Sequence, residues 1–162
     1  METKNKIKLA VIFFLIFNPF TLIVFFLAAT MWTNKHPDVG EHIEQVDWLP
    51  PGASDICYYK TYSYTAYEFN ISESEFREWG DRWEFTEIQE PFEIWRYNLS
   101  LVESPDRSGG YDTEAWEEYN NLVNATIVDG LCYRTPPRGN GGGVYVAYDR
   151  VTGRAYFQSS PR

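Results

Sequence analysis

The stretch Ile71-Ser72-Glu73-Ser74-Glu75-Phe76-Arg77-Glu78-Trp79-Gly80-Asp81-Arg82-Trp83 decides how this chain folds. Ser72 and Glu75 have capping-box spacing, with Ser72 at the N-cap and Glu75 at the third helical position. Ile71 before the cap and Phe76 at the fourth helical position form a hydrophobic staple. Phe76, Trp79 and Trp83 then recur at i, i+3 and i+7, one face of a helix. The spacing predicts a helix over residues 73–83 that starts as soon as a strand ends. That strand-like stretch runs from Asp55 to Ile71 and is rich in Tyr and Thr. Its apolar positions are even early on (Ile56, Tyr58, Tyr62, Tyr64) and odd later (Tyr67, Phe69, Ile71). The switch of parity predicts a bulge, a bend or two strands, with the break between Ser63 and Ala66.

Outward from this centre the chain alternates short strands and turns. Phe92–Leu101 reads as a strand. Ala115, Trp116, Tyr119, Leu122 and Val123 fit a second short helix capped by Asp112 or Thr113. Residues 126–134 read as a strand interrupted at Asp129-Gly130, and 135–143 as a Pro/Gly loop. Val144–Tyr148 and Arg154–Gln158 form a hairpin, with Gly153 placed for the left-handed residue that closes such turns. The expected fold class is α+β: a transmembrane helix, then a mostly antiparallel sheet covered by one or two short helices.

The helix assigned to the membrane is the apolar run Leu9–Trp32, in which only Asn18, Thr21 and Thr30 are polar. At this length a helix rises roughly 36 Å, against a hydrocarbon core of about 30 Å. An uncleaved signal anchor is expected, and a cleaved signal peptide is the alternative. Lys4, Lys6 and Lys8 before the run place the N-terminus in the cytoplasm and the rest outside. Asn18-Pro19, mid-run, predicts a kink. The expected organisation is a cytoplasmic segment 1–8, a span 9–32, a juxtamembrane linker 33–54 and an extracytoplasmic domain 55–162. Pro37, Gly40, Pro50, Pro51 and Gly52 mark the linker.

Charge narrows the partners. Residues 33–162 carry 11 Lys+Arg against 22 Asp+Glu, a formal net charge of −11. Such a surface repels nucleic acid and anionic headgroups. The acid is concentrated in 38–118, at −15, whereas 119–162 is +3. The two segments either pack together or form two faces. Abundant Tyr, Trp and Phe supply the apolar area for a core.

Chemistry is sparser. His36 and His42 are the only histidines and both fall in the linker. That leaves the domain 55–162 without Ser-His-Asp or Cys-His catalysis. His36 and His42 with Glu41 or Glu44 form a metal set on paper, but a solvated linker is the plainer reading, and neither metal nor cofactor is expected. Cys57 and Cys132 lie in predicted strands. They are expected to pair once exported, the alternative being two small buried apolar side chains. Carboxylate pairs suited to a hydrolase are too easily found in so acidic a chain to be specific. Gly139-Asn140-Gly141-Gly142-Gly143 leads into a strand with no lysine after it, so it is a strand connection and not a phosphate loop. Three N-x-S/T sequons, at Asn70, Asn98 and Asn124, would matter only on a eukaryotic secretory route.

The segments Thr65–Glu73, Gly141–Arg150 and Arg154–Ser159 resemble those of a set of small bacterial proteins with one N-terminal span and a compact outer domain. The resemblance covers about residues 48–162 with gaps. It implies the same architecture and a bacterial origin, and it transfers no functional residue. The functional expectation is a membrane-tethered, non-catalytic interaction or accessory module. Its partners are the bilayer, through residues 9–32, and a membrane or envelope protein. A cell-wall carbohydrate binder and a small carboxylate hydrolase are the alternatives.

Overall fold

A computed structural model describes residues 18–106, 112–135 and 142–160. The chain divides into two compact units, Met1–Pro37 and Asp38–Arg162.

In the first unit, helix α1 spans Pro19–Lys35. Asn18 is extended, with ψ 124°, and its side chain accepts from the Phe20 backbone N–H at 2.9 Å. Pro19 is therefore the first residue of α1, a position where proline loses no helical hydrogen bond; the expected kink depends on residues before Asn18, which lie outside the described residues. At 17 residues α1 is roughly 26 Å long. Among the described residues no helix is long and apolar enough to cross a membrane. The remainder of the expected span, 9–17, and the segment 1–8 lie outside the described residues.

The second unit is α+β. Its strands are β1 (Asp38–Ile43), β2 (Ser54–Lys60), β3 (Thr65–Asn70), β4 (Thr86–Glu87), β5 (Phe92–Trp95), β6 (Asn124–Ile127), β7 (Gly130–Arg134), β8 (Gly143–Asp149) and β9 (Arg154–Ser160). Helices α2 (Glu73–Trp79) and α3 (Thr113–Val123) and a 3-10 turn at Tyr97–Ser100 complete it. Seven strands form one antiparallel sheet in the order β1-β2-β3-β9-β8-β7-β4, and β5 pairs with β6 in a second. Residues 38–43, expected within a linker, are an edge strand of the large sheet. The parity switch in 55–71 is two strands joined by a turn closed by Thr61 N–H to Tyr64 C=O at 2.8 Å.

Both faces of the large sheet are covered, so its central strands alternate between two cores. Along β8 and β9, Val146, Tyr148 and Ala155 face one core while Ala147 and Tyr156 face the other. On the first face lies α2. Ser72 Oγ accepts from the Glu75 N–H at 3.3 Å, and the Ser72 hydroxyl donates to Glu75 Oε2 at 2.5 Å. The helix stops at Gly80, earlier than residue 83. Even so, Phe76 is fully buried, and Trp79 and Trp83 pack on the same cluster with Phe69 and Phe157. On the second face lies the β5-β6 sheet, with Ile94 and Ile127 buried. Burial of each such side chain contributes about 1.5–3 kcal/mol. At the β8–β9 turn Gly153 takes φ +68°, the left-handed residue the turn requires.

The acidic and basic halves pack together. Arg150 donates to Glu73 at 2.7 Å, Glu87 at 2.8 Å and Asp129 at 2.9 Å. The hydrogen bond from Arg150, then one from Arg77, holds the Glu73 carboxyl down to about 2, from an ordinary 4.5. Glu87 is lowered by the same arginine. Between pH 4.5 and 2 the unfolded chain binds the proton that the folded one refuses. The network's contribution is full above about pH 4.5 and is lost as pH falls toward 2. Melting temperature should accordingly fall across that window, and should fall less in Arg150→Met. Parallel pH curves for the two proteins would remove the network as the cause.

Candidate functional site

A cleft opens where β5 faces the end of the β8–β9 hairpin. It has a volume of about 370 Å³ and is walled by Phe92, Ile94, Trp95 and Tyr145. Trp95 is 54% exposed although β5 is built into the second core, because strand alternation turns Ile94 inward and Trp95 out. Gln158 is buried beneath it and donates through Nε2 to the Trp95 carbonyl, which locks β5 onto β9. At the rim the Arg134 guanidinium lies over the Tyr145 ring, 5.1 Å from its centroid. Tyr64 also lines the cleft. Its hydroxyl is buried with no hydrogen-bond partner among the described residues, and burial pushes its pKa well above 10. An unpaired buried hydroxyl costs about 1–3 kcal/mol.

Glu93 is the one carboxylate among the described lining residues. The two-carboxylate chemistry of glycoside hydrolysis therefore has no second acid in this cleft. Elsewhere every carboxyl among the described residues whose pKa is displaced is displaced downward, at Asp55, Glu73 and Glu87.

Beside the cleft core a chain of charges runs through the second face. Glu68 is fully buried on β3 and accepts from Arg96 at 3.0 Å and Arg154 at 2.9 Å. Arg154 also donates to Asp55 Oδ2 at 2.8 Å and Asn70 Oδ1 at 2.9 Å. Asp55 Oδ1 meets His42 Nδ1 at 2.5 Å. Hydrogen bonding from His42 first, and then from Arg154, holds the Asp55 carboxyl below its ordinary range. Desolvation opposes the charge on both arginines, yet the bonds to Glu68 leave their pKa values raised. Glu68 sits at an alternating strand position that sequence reasoning assigns to solvent. Its partners come from β9 and from the residue after β5, and no local signal announces them.

Several sequence expectations change here. Cys57 and Cys132 are both free, the first buried and the second half-buried. They lie on β2 and β7, with β3, β9 and β8 between them. Four strand spacings amount to roughly 19 Å, well beyond the limit of about 7 Å between bridged Cα atoms. The expected disulfide does not form. His42, placed in a linker by the sequence, is the last but one residue of strand β1 and belongs to the folded unit. His36 lies in the other unit, where its ring packs on Trp32 at 4.3 Å between ring centroids. Glu41 accepts from the Tyr97 hydroxyl at 2.8 Å. Residues 139–141 of the glycine run lie outside the described residues, and Gly143 starts β8.

No protein-family model, no curated protein and no solved structure matches this chain.

Proposed function

We propose that this protein is a membrane-tethered, non-catalytic binding module, held at the outer face by its N-terminal apolar stretch and engaging an envelope protein through the inter-sheet cleft. The observation that carries the reading is the cleft itself: an exposed tryptophan beside an arginine that lies over a tyrosine ring. Trp, Tyr and Arg are the side chains that dominate interface energetics. Exposed rings stand singly around Trp95, with Tyr145 turned to Arg134, which suits a side chain or peptide better than a run of sugars.

What supports the tether is α1. Leu22, Ile23, Val24, Phe25, Phe26 and Leu27 are consecutive and all about half exposed or more. At about 100° per residue six neighbours go right round the helix, and a helix apolar on every side belongs in lipid or a protein core. Lys4, Lys6 and Lys8 favour a cytoplasmic N-terminus. Tethering raises the local concentration of the domain near membrane partners without new contacts.

Two measurements test this. A reporter active only outside the cytoplasm, fused after Arg162, should give signal. A signal from the cytoplasmic counterpart alone would reverse the topology. In cross-linked native membranes, Trp95→Ala should reduce partner capture at least about 30-fold, the effect of a 2 kcal/mol hot spot. Equal capture by Trp95→Ala and wild type would clear the cleft of this role, and retention on purified wall polymer in place of protein capture would favour the carbohydrate reading.

A further inference from the structure

We propose that His42, Asp55 and Cys57 form a binding site for a divalent transition-metal ion, with zinc the best match to the donors. The site shares no residue with the cleft and lies by the opposite end of β9. One ligand atom from each of the three residues lies within 4.8 Å of the other two. Imidazole, carboxylate and thiolate are a mixed nitrogen, oxygen and sulfur set, which zinc accepts and which calcium or magnesium does not.

The fold brings the three together by a local departure from regular pairing. The β1–β2 register shifts between Gly40 and Ile43, and the β2–β3 register shifts between Ser54 and Cys57. Within these irregular stretches His42 takes φ 53° and Asp55 φ 49°, both left-handed and neither glycine. Histidine and aspartate tolerate that region better than most residues.

The surroundings complete the site. Arg154 and Asn70 donate to Asp55 Oδ2, at 2.8 and 3.5 Å, leaving Oδ1 directed at His42. Such bonds orient a carboxylate ligand. Around zinc, with bonds of about 2.0–2.3 Å, tetrahedral ligand atoms stand roughly 3.3–3.8 Å apart. The 2.5 Å contact between His42 and Asp55 must therefore open by about an ångström. The His42 side chain is 77% exposed and has room to move. Cys57, only 3% exposed, supplies sulfur from the protein side. A sulfur so covered is a poor nucleophile toward a bulky substrate and a good ligand to a small ion. Thiolate and carboxylate together neutralise a dication. Three protein ligands leave the fourth position, on the exposed His42 side, to water.

The test uses the full chain in detergent, without a histidine tag, titrated with cobalt(II) as the spectroscopic probe. One equivalent should produce a thiolate-to-cobalt charge-transfer band and the visible bands of a tetrahedral ion, and zinc should displace it. Cys57→Ser should abolish the charge-transfer band, and Cys132→Ser should leave it intact. His42→Asn keeps a residue that accepts the left-handed backbone and should weaken cobalt binding roughly 100-fold. As His42 is exposed, that variant should melt like the wild type without metal, which separates lost ligation from lost folding. Absence of the charge-transfer band in the wild-type protein would overturn the proposal, as would a band unchanged in His42→Asn.

Discussion

Glu68→Ala is expected to destabilise the folded unit by about 3–5 kcal/mol, as removal of one partner from a buried ion network does. The Glu68 side chain has no solvent exposure, and its oxygens receive Arg96, Arg154 and the Tyr97 backbone N–H. Truncation would leave two guanidinium groups facing each other in a partly buried site. Arg154 retains Asp55 and Asn70, whereas Arg96 has no second acidic partner among the described residues. Equilibrium urea unfolding of the full chain in detergent measures the cost. A companion, Glu68→Leu with Arg96→Met, should recover part of the loss, because well-packed apolar side chains often match a buried ion pair. A cost below about 1 kcal/mol for Glu68→Ala would mean that the network is a surface arrangement.

Phe76→Ala should cost a similar amount, about 3–5 kcal/mol, for a different reason. Phe76 is fully buried and lies 5.1 Å from the Tyr148 ring and 4.8 Å from Phe85. Its removal opens a cavity between α2 and the sheet that rigid strands cannot fill. Trp79→Ala should fall close behind, since the indole packs on Phe69 and its N–H donates to the Trp48 carbonyl at 3.2 Å. Trp95→Ala, at an exposed ring, should leave the melting temperature nearly unchanged. Equal losses at positions 79 and 95 would contradict the assignment of one to the core and the other to the binding face.

What could be read in the sequence was local or periodic. The cap at Ser72, the staple, the Gly153 turn and the cap at Asp112 are encoded within a few residues, and each stands where the pattern places it. The opposite charges of the two halves left open whether they pack together or form two faces, and Arg150 and Arg154 decide it by bonding Glu73, Glu87, Glu68 and Asp55. Strand β1 was hidden because Pro37, Gly40 and Pro50 punctuate it like a linker, while its pairing with Val39 opposite Tyr59 is decided from across the sheet. The same non-locality hid His42 beside Asp55 and the arginines around Glu68, one of them 86 residues away. The disulfide expectation failed because two strand cysteines reveal nothing of how many strands lie between them. The cleft draws on β5, β7, β8, β9 and the β2–β3 turn, so no single window of sequence contains it.

The central claim, an outward-facing domain that binds through the inter-sheet cleft, is tested most directly by site-specific photocross-linking in intact cells. A photoreactive phenylalanine analogue at position 95 reports on the cleft. The same group at position 151 reports on the far end of the hairpin, where Val151 is 72% exposed. The prediction is a discrete protein adduct from position 95 and none from position 151. Adducts of equal yield from both positions, or none from position 95, would contradict it.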